Sequence, residues 1–279
     1  MFDVAIATCD PLPEPDPDHR PLVDALENEG VSVVTWAWDE RGAQWGEASV
    51  VLLRSTWDYY RHYDAFLSWA EEVDQCSTLL NPLEVIRWNS HKSYLLSLPM
   101  RGVPVVPTVA VEQGSSVDLG EVCDFEKWSK VVIKPAVGAG SYGAQAMEVG
   151  ALDERVFEGL LDKGDVLVQP YMESIHERGE RSLVFIDGKL THGVRKSPRF
   201  DGDQESVVPI EVPDARDVEV ARRAIDGVDS PLLYGRVDLI DGGDGAPRVA
   251  ELELIEPSLF FRFEPASLER LVESLANYL

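Results

Sequence analysis

The sequence predicts an α/β (α+β) fold that begins with a parallel sheet. Three short runs rich in β-branched residues occur in the first third of the chain and are typical of strands: VAIAT, SVVTWAW and SVVLLRST. Segments with the apolar spacing of helices follow the first and the third run: RPLVDALENEG and DAFLSWAEEV. Since parallel strands need a crossover connection, this alternation predicts a parallel sheet with crossover helices.

The composition restricts the classes of function. With 279 residues and a hydrophobic fraction of 44%, the chain exceeds one minimal domain and can form sizeable cores. No apolar run reaches the roughly 20 residues that cross a bilayer, and the first residues, MFDVAIATCD, lack the layout of a signal peptide. The formal net charge of −25 repels nucleic acids and anionic membranes. We therefore expect a cytoplasmic protein with neither nucleic acid nor membrane as a partner.

Covalent side-chain catalysis and structural zinc are not indicated. The chain has three cysteines, which are far apart and odd in number, and this argues against a disulfide framework or a close-spaced zinc site. The five histidines are scattered. His192, which precedes the basic pair Arg195 and Lys196, is the only candidate proton carrier among them.

A polar segment, Arg54-Ser55-Thr56-Trp57-Asp58, follows the third predicted strand. Ligands of parallel sheets bind at the carboxyl ends of strands. An arginine can pair with a carboxylate through two hydrogen bonds, Asp58 can pair with an ammonium, and Trp57 can shield both from water. One hypothesis is therefore a site for a small zwitterionic substrate, and the alternative is a surface loop with an Arg–Asp ion pair.

A glycine-rich loop follows a lysine on an apolar strand. Lys134 ends the run VVIK, and Gly138, Gly140 and Gly143 follow, with Ser141 among them. Glycines let backbone amides approach an anion, while the lysine supplies a positive charge. The segment has neither the GK[ST] ending of a P-loop nor the GxGxxG spacing of a dinucleotide fold. It favours a mobile phosphate lid, with a simple hairpin as the alternative.

Acidic residues alternate in the run AELELIEPS, residues 250–258. In a strand, Glu251 and Glu253 point to the same face. The turn GGDGAP precedes this run and predicts an antiparallel partner, YGRVDLID, that brings Asp238 close. Three carboxylates beside Arg236 match what Mg²⁺ and nucleotide phosphates require. The alternative is an amphipathic strand whose glutamates face solvent.

The order of these motifs resembles that of the ATP-grasp ligases. Lys92 before a helix is followed by IKPAVGAGSYG, LVQPYM, GRVD and ELELIEPS, from about residue 80 to residue 260. RSTWDY, the lysine of NSHK and ELELIEPSLFF resemble the branch of O-ureidoserine cyclo-ligases, close to glutathione-synthetase-like and RimK-like ligases. The resemblance implies an ATP-grasp fold with an N-terminal parallel α/β domain (1–88), a central and lid subdomain (89–168) and a C-terminal mixed-sheet subdomain with the metal site (169–279).

The resemblance also implies roles for individual residues. The loop would close over the nucleotide phosphates, backbone groups of a hinge would read adenine, and an acidic residue would contact the ribose. The implied ATP-binding residues are Lys92, Lys134, Gly138, Gly140, Ser141, Tyr142, Gly143, Gln169, Pro170, Tyr171, Met172 and Glu180. The implied metal ligands for two Mg²⁺ ions, which Mn²⁺ can replace, are Asp238, Glu251 and Glu253. The family usually has asparagine where Glu253 stands.

The activity implied by the resemblance is ATP-dependent ligation of a carboxylate to an amine. An acyl phosphate would form on a small amino-acid-like substrate, and an amide, ADP and phosphate would result, between two molecules or by cyclisation. Arg236, Arg195 and Lys196 would stabilise the migrating phosphoryl group, and Ser258 joins residues 54–58 as a candidate substrate contact. The alternatives are a kinase on the same fold and a non-catalytic nucleotide-binding module. A homodimer and a homotetramer both remain open.

Overall fold

The computed structural model describes residues 1–140, 142–197 and 206–279. Ser141, a predicted phosphate-loop residue, lies outside the described residues. The described chain forms three sheets with helices packed on them. Within it, no helix combines the length and the apolar character that a membrane span would need.

The first sheet is parallel, as the sequence predicted. Its strands run in the spatial order β2-β1-β3-β4, and all neighbouring pairs are parallel. The strands and their crossover helices are β1 (Phe2–Thr8), α1 (His19–Asn28), β2 (Val33–Ala37), β3 (Ala48–Ser55), α2 (Tyr63–Asp74) and β4 (Thr78–Leu80). Apart from Ser49, no residue of the central strands β1 and β3 is exposed, because parallel sheets are covered on both faces and select continuous apolar runs.

Two short helices connect the first sheet to the second: α3 (Leu83–Asn89) and α4 (Tyr94–Ser97). The second sheet is antiparallel, with the order β5-β8-β6-β7. Its elements are β5 (Val109–Val111), α5 (Leu119–Glu126), β6 (Lys130–Pro135), β7 (Gln145–Glu148), α6 (Glu154–Leu161) and β8 (Val166–Pro170). Phe157 of α6 and Leu119 and Val122 of α5 are buried in one cluster with Val131 and Ile133 of β6. The two helices therefore cover one face of this sheet.

The third sheet is antiparallel, with the order β11-β10-β9-β12-β13. Its elements are α7 (Ile175–Arg178), β9 (Glu180–Ile186), β10 (Lys189–Lys196), β11 (Val207–Ile210), α8 (Ala215–Asp226), β12 (Tyr234–Asp241), β13 (Pro247–Glu253) and α9 (Pro265–Leu275). A hairpin turn joins β9 to β10, with φ of 50° at Asp187 and 67° at Gly188. Positive φ at both residues is the requirement of a type I′ turn, which Asp-Gly satisfies.

Buried polar contacts fasten the first sheet to the third. The Asn81 amide donates to the carbonyls of Tyr234 (2.9 Å) and Leu254 (2.7 Å), and its oxygen accepts from the backbone N–H of Leu233 (2.8 Å). The Tyr234 hydroxyl lies 2.7 Å from the carbonyl oxygen of Leu53 on β3. The predicted division at residues 88 and 168 stays a prediction, and its second boundary falls within β8, which pairs with strands of the second sheet.

Candidate active site

A cavity of about 920 Å³ opens where the three sheets meet. Trp57 and Tyr60 line it from the N-terminal part, Lys92 and Lys134 from the middle, and the β12–β13 pair from the third sheet. All three parts of the predicted architecture therefore contribute side chains to one space, which is where multi-domain proteins commonly bind small ligands.

The register of β12 and β13 gathers the acidic residues, as the alternation in the sequence predicted. Arg236 lies opposite Glu253, and Asp238 lies opposite Glu251. These four side chains line the cavity. The intervening Leu252 is buried on the other face, because successive side chains in a strand point to opposite faces. The solvent-facing alternative for this strand is therefore wrong.

The free edge of β13 is held by two side chains that sequence reasoning did not single out. The Asn89 amide donates to the Leu252 carbonyl (2.8 Å), and its oxygen accepts from the N–H of Leu254 (2.9 Å). The Tyr94 hydroxyl accepts from the N–H of Leu252 (2.9 Å). These bonds replace the missing neighbouring strand and fix the backbone that carries both glutamates. A polar residue at the end of the apolar helix segment LEVIRWN was the only sequence signal.

Arg236 and Lys196 enclose Asp238. The Arg236 Nε and Nη2 atoms each lie 2.9 Å from an oxygen of Asp238, and the Lys196 Nζ lies 2.9 Å from its Oδ2. Arg236 also pairs with Glu253, and Lys196 pairs with Glu180. Burial alone would raise the pKa of Asp238, but the charges of Arg236 and Lys196 outweigh burial and lower it. The carboxylate is thus held ionised.

Two lysines, Lys134 of β6 and Lys92 between α3 and α4, bind Glu251. The Lys134 Nζ lies 2.8 Å from the Oε1 of Glu251, and the Lys92 Nζ lies 3.8 Å from its Oε2. Lys92 also donates to the carbonyl of Gly138, 2.9 Å away. Burial works to raise the pKa of Glu251, but Lys134 and Lys92 bring it down to about 2. Glu180 differs: burial raises its pKa to about 7 against the opposing effect of Lys196.

The glycine-rich loop between β6 and β7 contacts the N-terminal part of the chain. The ring of Tyr142 stacks on Tyr60, with centroids 4.2 Å apart and an interplanar angle of 29°. Gly143 has a φ of 68°, and a Cβ there would lie 2.9 Å from a ring carbon of Pro135. Only glycine fits that position, since both the backbone conformation and the space exclude a side chain. Gly138, Gly140 and Tyr142 line the cavity.

Only one of the predicted hinge residues 169–172 lines the cavity in the part of the chain that the structure describes. Tyr171 lines the cavity, its N–H donates to the Lys130 carbonyl (2.9 Å), and the Lys130 Nζ lies 3.9 Å from its ring centroid. The buried Gln169 amide instead donates to the Thr108 hydroxyl (2.8 Å). Pro170 and Met172 are not among the described residues that line the cavity.

The structure contradicts the hypothesis that residues 54–58, at the end of β3, form a substrate site. Arg54 is 2% exposed, and its Nη2 donates to the carbonyl of Pro257 (2.8 Å). The Trp57 indole donates to the carbonyl of Glu256 (2.9 Å), so both side chains hold the backbone that follows β13. Trp57 alone of residues 54–58 lines the cavity in the described chain. The expectation that Arg54 meets a substrate carboxylate is corrected, because its guanidinium lies inside the protein.

The other members of that segment are also engaged internally. Asp58 accepts from the Trp38 indole (2.8 Å), the Ser55 hydroxyl donates to Asp16 (2.8 Å), and Thr56 is fully buried. The alternative of a surface loop with an Arg54–Asp58 pair is wrong as well, since the cation lies 3.9 Å from Asp18 instead. Ser258, the remaining candidate substrate contact, does line the cavity.

Two further candidates lie apart from the cavity. Arg195 is exposed and is not among the described residues that line it. It is adjacent to Lys196 on β10, and neighbouring residues on a strand point to opposite faces, so only one of the two can reach the site. His192 is 8% exposed and also lies outside the lining. Burial lowers its pKa, and its position outside the lining argues against the predicted role as a proton carrier.

Comparison with known proteins identifies the family. The model of the N-terminal domain of D-cycloserine synthetase DcsG matches residues 4–81. The cycloserine biosynthesis protein DcsG of Streptomyces lavendulae is 34% identical over 283 residues, which cover 95% of this chain and 94% of that protein. The chain belongs to the DcsG family of ATP-grasp ligases.

Solved structures agree with this family assignment. The crystal structure of D-cycloserine synthetase DcsG matches with a TM-score of 0.88 and 32% identity, covering 98% of each chain. The ATP-grasp ligase PsnB, complexed with a minimal precursor, matches with a TM-score of 0.67 and 16% identity over the whole of each chain. The predicted ATP-grasp fold is confirmed, and this DcsG-family protein is an ATP-dependent ligase.

ATP-grasp ligases use Mg²⁺, and three carboxylates of this ligase have the ligand chemistry for it. Asp238, Glu251 and Glu253 offer hard oxygen atoms on one face of two paired strands, which is the ligand chemistry that Mg²⁺ prefers. Within the described residues, no three acidic, histidine or cysteine side chains are grouped closely enough to hold a metal ion. Each of the three carboxylates is paired with a cation instead. The donor set fits the ion once these cations have phosphate oxygens to bind.

We expect Lys134→Ala to raise the dissociation constant for ATP of this DcsG-family ligase by about tenfold or more. The Lys134 ammonium faces the cavity from β6 and lies beside Lys92 on Glu251, where phosphate oxygens would find two positive charges. Isothermal titration calorimetry with ATP and Mg²⁺ measures the change. Lys163→Ala, at an exposed lysine between α6 and β8, is the control. Equal affinities of the two variants would contradict a role of Lys134 in nucleotide binding.

Proposed function

We propose that this ligase activates the carboxylate of a small amino-acid-like substrate as an acyl phosphate and joins it to an amine. The products are an amide, ADP and phosphate. The observation that carries the proposal is the meeting of Lys92 and Lys134 with the acidic pair of strands β12 and β13 in one cavity. Phosphoryl transfer demands mostly positioning and neutralisation of charge, and this cavity contains the groups for both.

Lys92, Lys134 and the glycine-rich loop serve the nucleotide in this proposal. The loop lies between β6 and β7 and presents backbone groups to the cavity, while the lysines supply positive charge for the phosphates. Tyr171 and Glu180 both line the cavity, and the base and the ribose are assigned to the part of it that these residues line. Backbone groups of residues 169–172 would read adenine.

Asp238, Glu251 and Glu253 would hold Mg²⁺, two ions by the family pattern. When bound, the ion neutralises phosphate charge and orients the phosphate oxygens. Glu253 stands where the family usually has asparagine, and its carboxylate pairs with Arg236. Burial raises the pKa of Glu253, and the charge of Arg236 opposes this shift.

Arg236 and Lys196 are the groups proposed to stabilise the transferred phosphoryl group and the tetrahedral intermediate that follows. Arg236 is buried, the Lys196 side chain is 11% exposed, and both cations are fixed by Asp238. Fixed charges need no reorganisation as negative charge develops. Arg236 also donates to the carbonyl of Ser258 (3.2 Å). This bond places the guanidinium next to the segment that follows β13 and contacts the N-terminal part of the chain. Arg195 is left out of this set because it is exposed.

Closure of a ring within one molecule is the proposed form of ligation. The similar protein DcsG is named for the synthesis of cycloserine. Because that name describes a cyclic product, it supports an intramolecular reaction over the joining of two molecules. A site for one small substrate is also what the space supports, since the cavity of about 920 Å³ must hold ATP as well. By analogy with the relative DcsG, the proposed reaction is a step of antibiotic biosynthesis.

Product analysis tests the proposal against a kinase on the same fold. The protein is incubated with ATP, Mg²⁺ and a panel of D- and L-amino acids, including O-ureidoserine, and ADP, phosphate and organic products are measured by mass spectrometry. Free phosphate equal to ADP together with a new amide supports ligation. A stable phosphorylated amino acid would establish the kinase instead, and a lack of substrate-dependent ADP release would leave a non-catalytic nucleotide-binding module.

A further inference from the structure

Glu256 lies three residues beyond β13 and lines the cavity. Its backbone is fixed from the N-terminal part of the chain, because the Trp57 indole donates to its carbonyl (2.9 Å) and Arg54 donates to the next carbonyl, that of Pro257 (2.8 Å). Asp18 holds the following turn by accepting from three consecutive N–H groups, at 2.7 to 3.0 Å. The Glu256 side chain therefore projects from a rigid backbone.

Glu256 differs from the carboxylates of β12 and β13 in having no cation of its own. Asp238, Glu251 and Glu253 each form ion pairs with a lysine or arginine. Within residues 1–140, 142–197 and 206–279, the Glu256 carboxylate has no ion pair. Burial raises its pKa to about 8, and the nearby charge of Glu253 adds to the effect. A cation placed against Glu256 would offset both contributions.

The surroundings of Glu256 suit an ammonium group. Trp57 and Tyr60 line the same cavity, and aromatic faces attract cations while excluding water. Lys92 and Lys134 are paired with Glu251. The charges of Lys92 and Arg236 work to lower the pKa of Glu256, but within the described residues neither cation forms an ion pair with its carboxylate. A ligand with a positively charged amino group supplies the missing charge, and a charge-assisted hydrogen bond to a buried carboxylate is strong.

We propose that the Glu256 carboxylate binds the amino group of the substrate and makes the enzyme specific for amino acids over their des-amino counterparts. This assignment rests on the proposed ligase function and deepens it. It replaces Asp58, which accepts from the Trp38 indole, as the acidic partner of the substrate. Arg54 and Trp57 become positioning residues that hold the backbone of Glu256.

Glu256→Gln tests the assignment because it removes the charge and keeps the shape of the side chain. We expect the KM for the amino acid that drives ADP release to rise by at least about tenfold, with the dissociation constant for ATP and Mg²⁺ unchanged by calorimetry. The preference for this amino acid over the matching 2-hydroxy acid, as a ratio of kcat/KM values, should fall. Glu269→Gln, at an exposed position of α9, is the matched control, and Glu256→Asp should retain the preference.

The outcomes separate this inference from the proposed function. If wild type turns over the amino acid and Glu256→Gln keeps both its KM and its preference for the amino group, the assignment is overturned and the ligase function stands. A parallel loss of ATP affinity would transfer Glu256 to the nucleotide site. A wild type without amino-acid-dependent ADP release would overturn both proposals. Thermal unfolding of each variant shows whether it is folded, and Glu256→Asp carries the test if Glu256→Gln is not.

Discussion

Replacing Glu251 by glutamine should reduce turnover by at least about 100-fold while the protein remains folded. The side chain keeps its size, but it loses the negative charge that faces the cavity beside Lys134 and Lys92. Because the pKa of Glu251 is brought down to about 2, the wild-type carboxylate is ionised at neutral pH and is available to a divalent cation. A neutral amide oxygen is a weaker ligand for Mg²⁺.

The measurement is ADP release at saturating ATP, with circular dichroism and thermal unfolding as checks of the fold. Glu253→Asn is the matched variant on the same strand, since it installs the usual family residue and should leave Mg²⁺-dependent activity measurable. Activity of Glu251→Gln within a few-fold of wild type would contradict its assignment as a metal ligand. A fully inactive Glu253→Asn would show that the pairing of Glu253 with Arg236 is needed for catalysis.

The geometry of the acidic strands could be predicted from the sequence because it depends on local rules. Alternation places Glu251 and Glu253 on one face, and a turn of glycines directly before them requires an antiparallel partner with Asp238. The parallel first sheet follows from the order of strand and helix segments in the same way. Both inferences need only neighbours in the chain.

Contacts made between distant segments could not be predicted. Asn89 and Tyr94 satisfy backbone groups on the edge of β13, more than 150 residues away, and neither residue type indicates such a partner in advance. Arg195 is a different case. The strand alternation that was applied to the glutamates also separates Arg195 from Lys196, so the sequence contained the information that only one of them reaches the site.

Arg54 shows why a polar segment after a strand is an ambiguous signal. The carboxyl end of β3 does face the cleft, as expected for a parallel sheet, and Trp57 reaches the cavity there. The guanidinium of Arg54 instead lies under the chain that returns from β13, between Asp18 and Pro257. That return segment is about 200 residues further along, so the sequence alone does not show that it covers the arginine.

Arg54→Ala should therefore destabilise the whole protein. Removing one member of a buried ion pair costs about 3 kcal/mol or more, because the partner charge stays buried without its counterion. Here the partner is Asp18, and the side chains of Arg54 and Asp18 are each 1% exposed. The melting temperature is expected to fall by on the order of 10 °C.

Thermal unfolding with and without ATP measures the effect, and Arg20→Ala is the control. Arg20 pairs with Asp24 on the surface of α1, where the side chains are 77% and 45% exposed, and such pairs contribute at most about 1 kcal/mol. Any surviving Arg54→Ala protein should also show a raised KM for the amino acid, since Glu256 loses the bond that fixes the neighbouring carbonyl. An Arg54→Ala variant that keeps the wild-type melting temperature would contradict the structural role of Arg54, and a raised KM in such a variant would indicate a direct contact with the substrate instead.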